Sequence, residues 1–110
     1  MRHKYETPEE FFTQLKKRLS YNPQISKNIK AIFQFSISGR NGGQWYLKLD
    51  NGSVDIGTGL IERWECMVKT NPNVFLGIVS GNISPVMAFL SGSVKVFGNR
   101  NKLKYLQYIL

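Results

Sequence analysis

Side chains able to perform acid, base or nucleophilic chemistry are few in this sequence of 110 residues. It has one histidine, His3, and one cysteine, Cys66. A Ser-His-Asp or Cys-His arrangement needs a histidine held by its surroundings, and the polar N-terminal segment around His3 offers little to hold it. The carboxylates fall at a helix start, in turns or on the polar phase of strands, as expected for solvated surface groups: Glu6, Glu9, Glu10, Asp50, Asp55, Glu62 and Glu65. The sequence therefore predicts no catalytic residues and no enzyme.

The same scarcity argues against metals and cofactors. One cysteine excludes an internal disulfide, and scattered carboxylates lack the spacing of a zinc or calcium site. The segment Gly57-Thr-Gly59 is followed by Glu62 where a dinucleotide fingerprint has its third glycine, so a Rossmann motif is not indicated. We predict no metal and no cofactor. Cys66 falls on the apolar phase of a strand, which is typical of an inert core thiol.

The charge balance favours an anionic partner. Fifteen Lys and Arg against seven Asp and Glu give a net charge of +8, which attracts anions over long range. A membrane surface, an acidic ligand headgroup and nucleic acid all fit, and so does a plain solvated surface. Nucleic acid is disfavoured because most aromatic residues fall on the buried phase of strands, where they cannot stack on bases. We expect the loose basic cluster Arg100, Lys102 and Lys104 to contact an anionic membrane.

Targeting signals are not apparent. The N-terminus is polar, and no run approaches the roughly 18 apolar residues of a membrane span. The single cysteine suits a reducing compartment. We therefore expect a cytoplasmic location, and a chain of this length fits one domain over residues 1–110.

Apolar periodicity places the secondary structure. Thr7-Pro8 followed by Glu10 is a helix-start pattern, as are Asn71-Pro72 and Ser84-Pro85. Period-two patterns and the hairpin signal Asn51-Gly52 predict strands over residues 31–37, 45–50, 54–56, 64–69 and 94–97. Period-three and period-four patterns predict helices over residues 8–21, 25–29, 73–79, 86–90 and 100–110.

Two of these helices suggest a binding space. The helices over 73–79 and 86–90 start at proline, are rich in large apolar residues and end at Gly81 and Gly92. Most of those residues belong to the core. Short helices form a thin cover over a wide sheet, and such a cover fills the interior less completely than long helices do. The pattern favours an apolar cavity.

The order of these signals is more distinctive than any one of them. The chain runs from a strand with Cys66 through Asn71-Pro-Asn-Val-Phe75-Leu-Gly, Ser84-Pro-Val-Met-Ala88-Phe89 and Ser93-Val-Lys95-Val-Phe-Gly98-Asn99. With the upstream Phe35-Ser-Ile37, Gly43-Gln-Trp45-Tyr-Leu47 and Asp50-Asn-Gly52, this order resembles the sterol carrier protein 2 family of nonspecific lipid-transfer domains. The resemblance covers nearly the whole chain from Phe11 onward.

The resemblance implies both a fold and a function. The fold is α+β, with a five-stranded, mostly antiparallel sheet covered by about five helices around an apolar tunnel. The tunnel would take fatty acids, acyl-CoA esters, phospholipids or sterol-like ligands, for transfer or, alternatively, for presentation to an enzyme. By position, the implied ligand-binding residues are Phe35, Trp45, Leu47, Phe75, Leu76, Val79, Met87, Leu90, Val96, Leu103 and Leu106. Some family members carry a headgroup-binding glutamine after the proline of the second short helix, where this chain has Val86 and Met87.

Overall fold

The computed structural model describes residues 5–110, so His3 lies outside the described residues. Within them the chain forms one five-stranded sheet and four α-helices. The strands are β1 Lys30–Ile37, β2 Gly43–Asp50, β3 Ser53–Thr58, β4 Cys66–Thr70 and β5 Lys95–Gly98. The helices are α1 Pro8–Tyr21, α2 Pro72–Val79, α3 Pro85–Leu90 and α4 Leu103–Ile109, with 3-10 turns at Pro23–Ile25 and Arg100–Lys102.

The sheet has the order β3-β2-β1-β4-β5. Every neighbouring pair is antiparallel except β1 and β4, which run parallel. The predicted α+β class and the mostly antiparallel sheet of five strands are confirmed.

The three predicted helix starts are formed by their capping side chains. Thr7 accepts a hydrogen bond from the amide of Glu10 at 3.2 Å, and Asn71 accepts one from Val74 at 2.9 Å. Ser84 caps α3 in the same way, and a proline occupies the first turn of each helix. These caps satisfy amides that the helix itself leaves unpaired.

The number of helices is four rather than about five. The helix predicted over 25–29 is only the 3-10 turn Pro23–Ile25, because Asn28 takes a left-handed conformation with φ of 70°, which does not continue a helix. The last predicted helix is divided into the 3-10 turn at 100–102 and α4. Strand β4 begins at Cys66, two residues later than predicted.

The helices pack on the sheet face that carries Phe35. The ring of Phe12 from α1 stacks on Trp45 at 5.0 Å and on Phe75 of α2 at 5.3 Å, and it meets Phe35 at 5.1 Å. These rings form the centre of the core. The core therefore lies mainly under α1 and the start of α2.

The opposite face carries a buried amide on the polar phase of β1. Gln34 is fully buried. Its Nε2 donates to the carbonyls of Trp45 and Gly59 at 3.0 and 3.1 Å, and its Oε1 accepts from the amide of Ile61 at 3.0 Å. The segment after β3 folds back over this position, and Gln34 holds it there.

Candidate functional site

An apolar cavity of about 500 Å³, partly open to solvent, lies between the sheet and the helices α2, α3 and α4. Strands β1, β4 and β5 supply its floor. Its wall consists of Phe35, Val68, Thr70, Phe75, Ile78, Val79, Pro85, Val86, Phe89, Val94, Val96, Leu103, Leu106, Gln107 and Leu110. An apolar cavity of roughly 150 Å³ is enough to bind benzene, so this space can take an aliphatic chain of many carbons.

Only two of the fifteen wall residues carry a polar side chain. The hydroxyl of Thr70 is already used, because it donates to the carbonyl of Ser93 at 2.9 Å. The amide of Gln107, at an exposed position of α4, is the other polar group. The arrangement suits a ligand with a long apolar body and at most one polar end near α4.

Six of the eleven predicted ligand-binding residues lie together on the cavity wall. They are Phe35, Phe75, Val79, Val96, Leu103 and Leu106. Their contact with a ligand stays a prediction, but the structure places them where the resemblance implied.

The other five lie off the wall. Trp45 and Leu47 are buried in the core, because β2 lies beyond β1 from the cavity and α1 covers it. Leu76 packs against the same core. Met87 and Leu90 are on the outer side of α3, 63% and 71% exposed, because the helical period turns Pro85, Val86 and Phe89 inward instead.

Gln107 and Leu110 were missed, although the sequence carried a signal for them. Leu103, Leu106, Gln107 and Leu110 follow the spacing of one helical face, and all four reach the cavity. A pattern restricted to apolar residues leaves Gln107 out. Val86 and Phe89 were also missed, because the side of α3 that faces inward is not determined by so short a segment.

Helix α4 closes one side of the cavity and is tethered by polar contacts. The guanidinium of Arg18 in α1 donates to the carbonyl of Ile109. At the other end, Nζ of Lys102 donates to the carbonyl of Lys30 at 2.9 Å and lies 3.6 Å from the carboxylate of Glu65. Glu65 also accepts a hydrogen bond from the amide of Ile32 at 2.9 Å. The side chain of Lys102 thus has two partners within the fold, whereas those of Arg100 and Lys104 have neither a hydrogen bond nor an ion pair with another residue of the range 5–110.

Cys66 is a buried residue of β4 that is not part of the cavity wall. Burial raises the pKa of its thiol, partly offset by the charge of Arg100. Across residues 5–110 no three His, Cys, Asp or Glu side chains come together as a metal site would require. In the same range, no helix has the length and apolar character needed to cross a membrane.

The fold and the cavity define a small α+β domain with an apolar cavity between its sheet and the helices α2, α3 and α4. The family model described as the SCP-2 sterol transfer family matches residues 12–110. The chain belongs to this family.

A curated relative matches most of the chain. Hydroxysteroid dehydrogenase-like protein 2 of Bos taurus is 36% identical over 92 residues, covering 83% of this chain and 22% of that protein. The chain therefore spans about a fifth of the length of this relative.

Solved structures share the fold at lower identity. Sterol carrier protein 2 like 2 of Aedes aegypti, in a palmitated solution structure, superposes with a TM-score of 0.72 and 20% identity, covering 91% of this chain and 90% of that one. A stereoselective inverting sec-alkylsulfatase of Pseudomonas sp. contains the same fold, with a TM-score of 0.78 and 21% identity over 94% of this chain and 16% of its own.

Proposed function

We propose that this chain binds a long-chain acyl lipid in the cavity and carries it without chemical change. The observation on which this rests is a cavity of about 500 Å³ whose wall is almost wholly apolar, in a member of a sterol-transfer family. Each buried methylene contributes roughly 0.8 kcal/mol. A dozen methylenes contribute about 10 kcal/mol, and ordering of the chain leaves affinity on the micromolar scale.

Native mass spectrometry of the delipidated chain mixed with hexadecanoic acid tests this proposal. We expect one adduct of the mass of the fatty acid, displaced by a fluorescent acyl probe that competes for the same space. A chain that takes up neither compound contradicts the proposal.

Presentation of a lipophilic substrate to an enzyme is a second candidate. It is favoured by the relatives themselves, since the dehydrogenase-like protein and the sulfatase are several times longer than the matching segment. Transfer and presentation use the same cavity. Movement of a labelled acyl lipid from donor to acceptor vesicles separates them: transfer predicts acceleration by the chain alone, and presentation predicts little.

Helix α4 is the proposed gate for ligand exchange. It supplies Leu103, Leu106 and Leu110 to the wall, and only the polar contacts of Arg18 and Lys102 described above hold its ends. Opening it exposes the cavity without breaking the sheet.

A further inference from the structure

Helix α3 leaves an apolar surface facing solvent on the outside of the cavity. Its six residues carry no charge, and only Ala88 is buried. Met87 and Leu90 are 63% and 71% exposed. Contiguous exposed apolar surface of this kind marks a contact with a membrane or a partner.

One basic residue borders this surface. The guanidinium of Arg100 lies 5.5 Å from the ring centre of Phe89. The helix joins the start of β5 through a hydrogen bond from the amide of Val94 to the carbonyl of Ala88, at 3.1 Å.

The charge of this half of the chain has one sign. Residues 66–110 contain five basic residues and no Asp or Glu, so the seven carboxylates of the chain all fall before Cys66. No carboxylate of the described residues pairs with Arg100. An external anion stabilises this unpaired charge.

We propose that the outer side of α3, with Met87 and Leu90 inserted and Arg100 beside it, docks on an anionic bilayer. The inner side of the same helix, Val86 and Phe89, lines the cavity. Docking therefore brings the cavity wall to the lipid phase. This proposal rests on the proposed lipid-carrying function and names the membrane as the partner of the carrier. The docking surface differs from the basic cluster predicted from the sequence, because Lys102 is paired with Glu65.

Cosedimentation with vesicles of equal parts phosphatidylcholine and phosphatidylglycerol tests the surface. Leu90→Ser removes an inserted side chain, and we expect about a tenfold loss of vesicle partitioning. Leu60→Ser is the matched control, because Leu60 is 70% exposed on the segment between β3 and β4, and we expect a change below twofold.

Arg100→Gln should weaken partitioning about fivefold, the effect of one basic residue near an anionic surface. Arg40→Gln, at an exposed position outside the docking surface, should not.

A soluble acyl probe, titrated without vesicles, separates the two proposals. We expect Leu90→Ser to bind the probe as the unmodified chain does, since Leu90 is off the cavity wall. Equal losses of vesicle partitioning in Leu60→Ser and Leu90→Ser overturn the docking surface. So does an unmodified chain that binds the probe but ignores anionic vesicles, which is also the outcome if the partner is an acidic protein. Failure of the unmodified chain to bind the probe overturns the lipid-carrying function instead.

Discussion

Introducing a single hydroxyl group into the cavity floor tests whether the bound molecule is an apolar chain. Val96 lies on the edge strand β5, is 7% exposed and forms part of the cavity wall. Val96→Thr keeps the shape nearly constant and suits a strand. In the empty cavity the hydroxyl can reach water, but under an acyl chain it loses that partner. An unpaired buried hydroxyl costs about 1–3 kcal/mol.

That cost corresponds to a 5- to 140-fold weaker affinity, on the order of one decade per 1.4 kcal/mol. Fluorescence titration with an acyl probe measures it. Val54→Thr is the control, because Val54 is a partly buried valine of the other edge strand, β3, away from the cavity. The affinity of Val54→Thr for the probe should stay within twofold of that of the unmodified chain. If Val96→Thr binds the probe as tightly as Val54→Thr does, the ligand does not occupy the floor of this cavity.

Three further changes test the structure around the site. Gln34→Leu leaves two carbonyls and one amide without their side-chain partner, so urea denaturation should show a free energy of unfolding lower by about 2–4 kcal/mol. Gln14→Leu, at an exposed position, should lower it by under about 0.5 kcal/mol, and equal losses in the two variants contradict the anchoring role of Gln34. Glu65→Gln removes the ion pair to Lys102 and should speed probe release up to about fivefold in stopped flow, while unchanged release rates argue against α4 as gate. The pKa of the Cys66 thiol is raised above 9.0 in the folded chain, so as the pH rises the thiol ionises in the unfolded chain before it does in the folded chain. The free energy of unfolding should therefore fall more steeply above pH 9.0 in the unmodified chain than in Cys66→Ala.

Local sequence signals predicted the elements well where a short-range cause exists. Thr7, Asn71 and Ser84 cap their helices as predicted, since a cap depends on residues three positions apart. Alternation along β1 likewise placed Phe33 and Phe35 in the core. Alternation does not show that Gln34 is buried, because a segment distant in sequence covers that amide.

The cavity wall was only half predictable for the same reason. Phe75 and Val79 follow from the inner side of α2, and Val96 from the phase of β5. Met87 and Leu90 were placed inside, although they face solvent. A helix of six residues has too little periodicity to show which side is covered, and only its position beside β5 decides it.

Calorimetric titration of the delipidated chain with saturated fatty acids of increasing length tests the central claim most directly. If the cavity holds the aliphatic chain, affinity should rise about fourfold for each added methylene, as expected from roughly 0.8 kcal/mol per methylene. The gain should stop once the cavity of about 500 Å³ is full. Binding that is absent at every length, or that does not depend on length, would contradict an apolar cavity as the binding site.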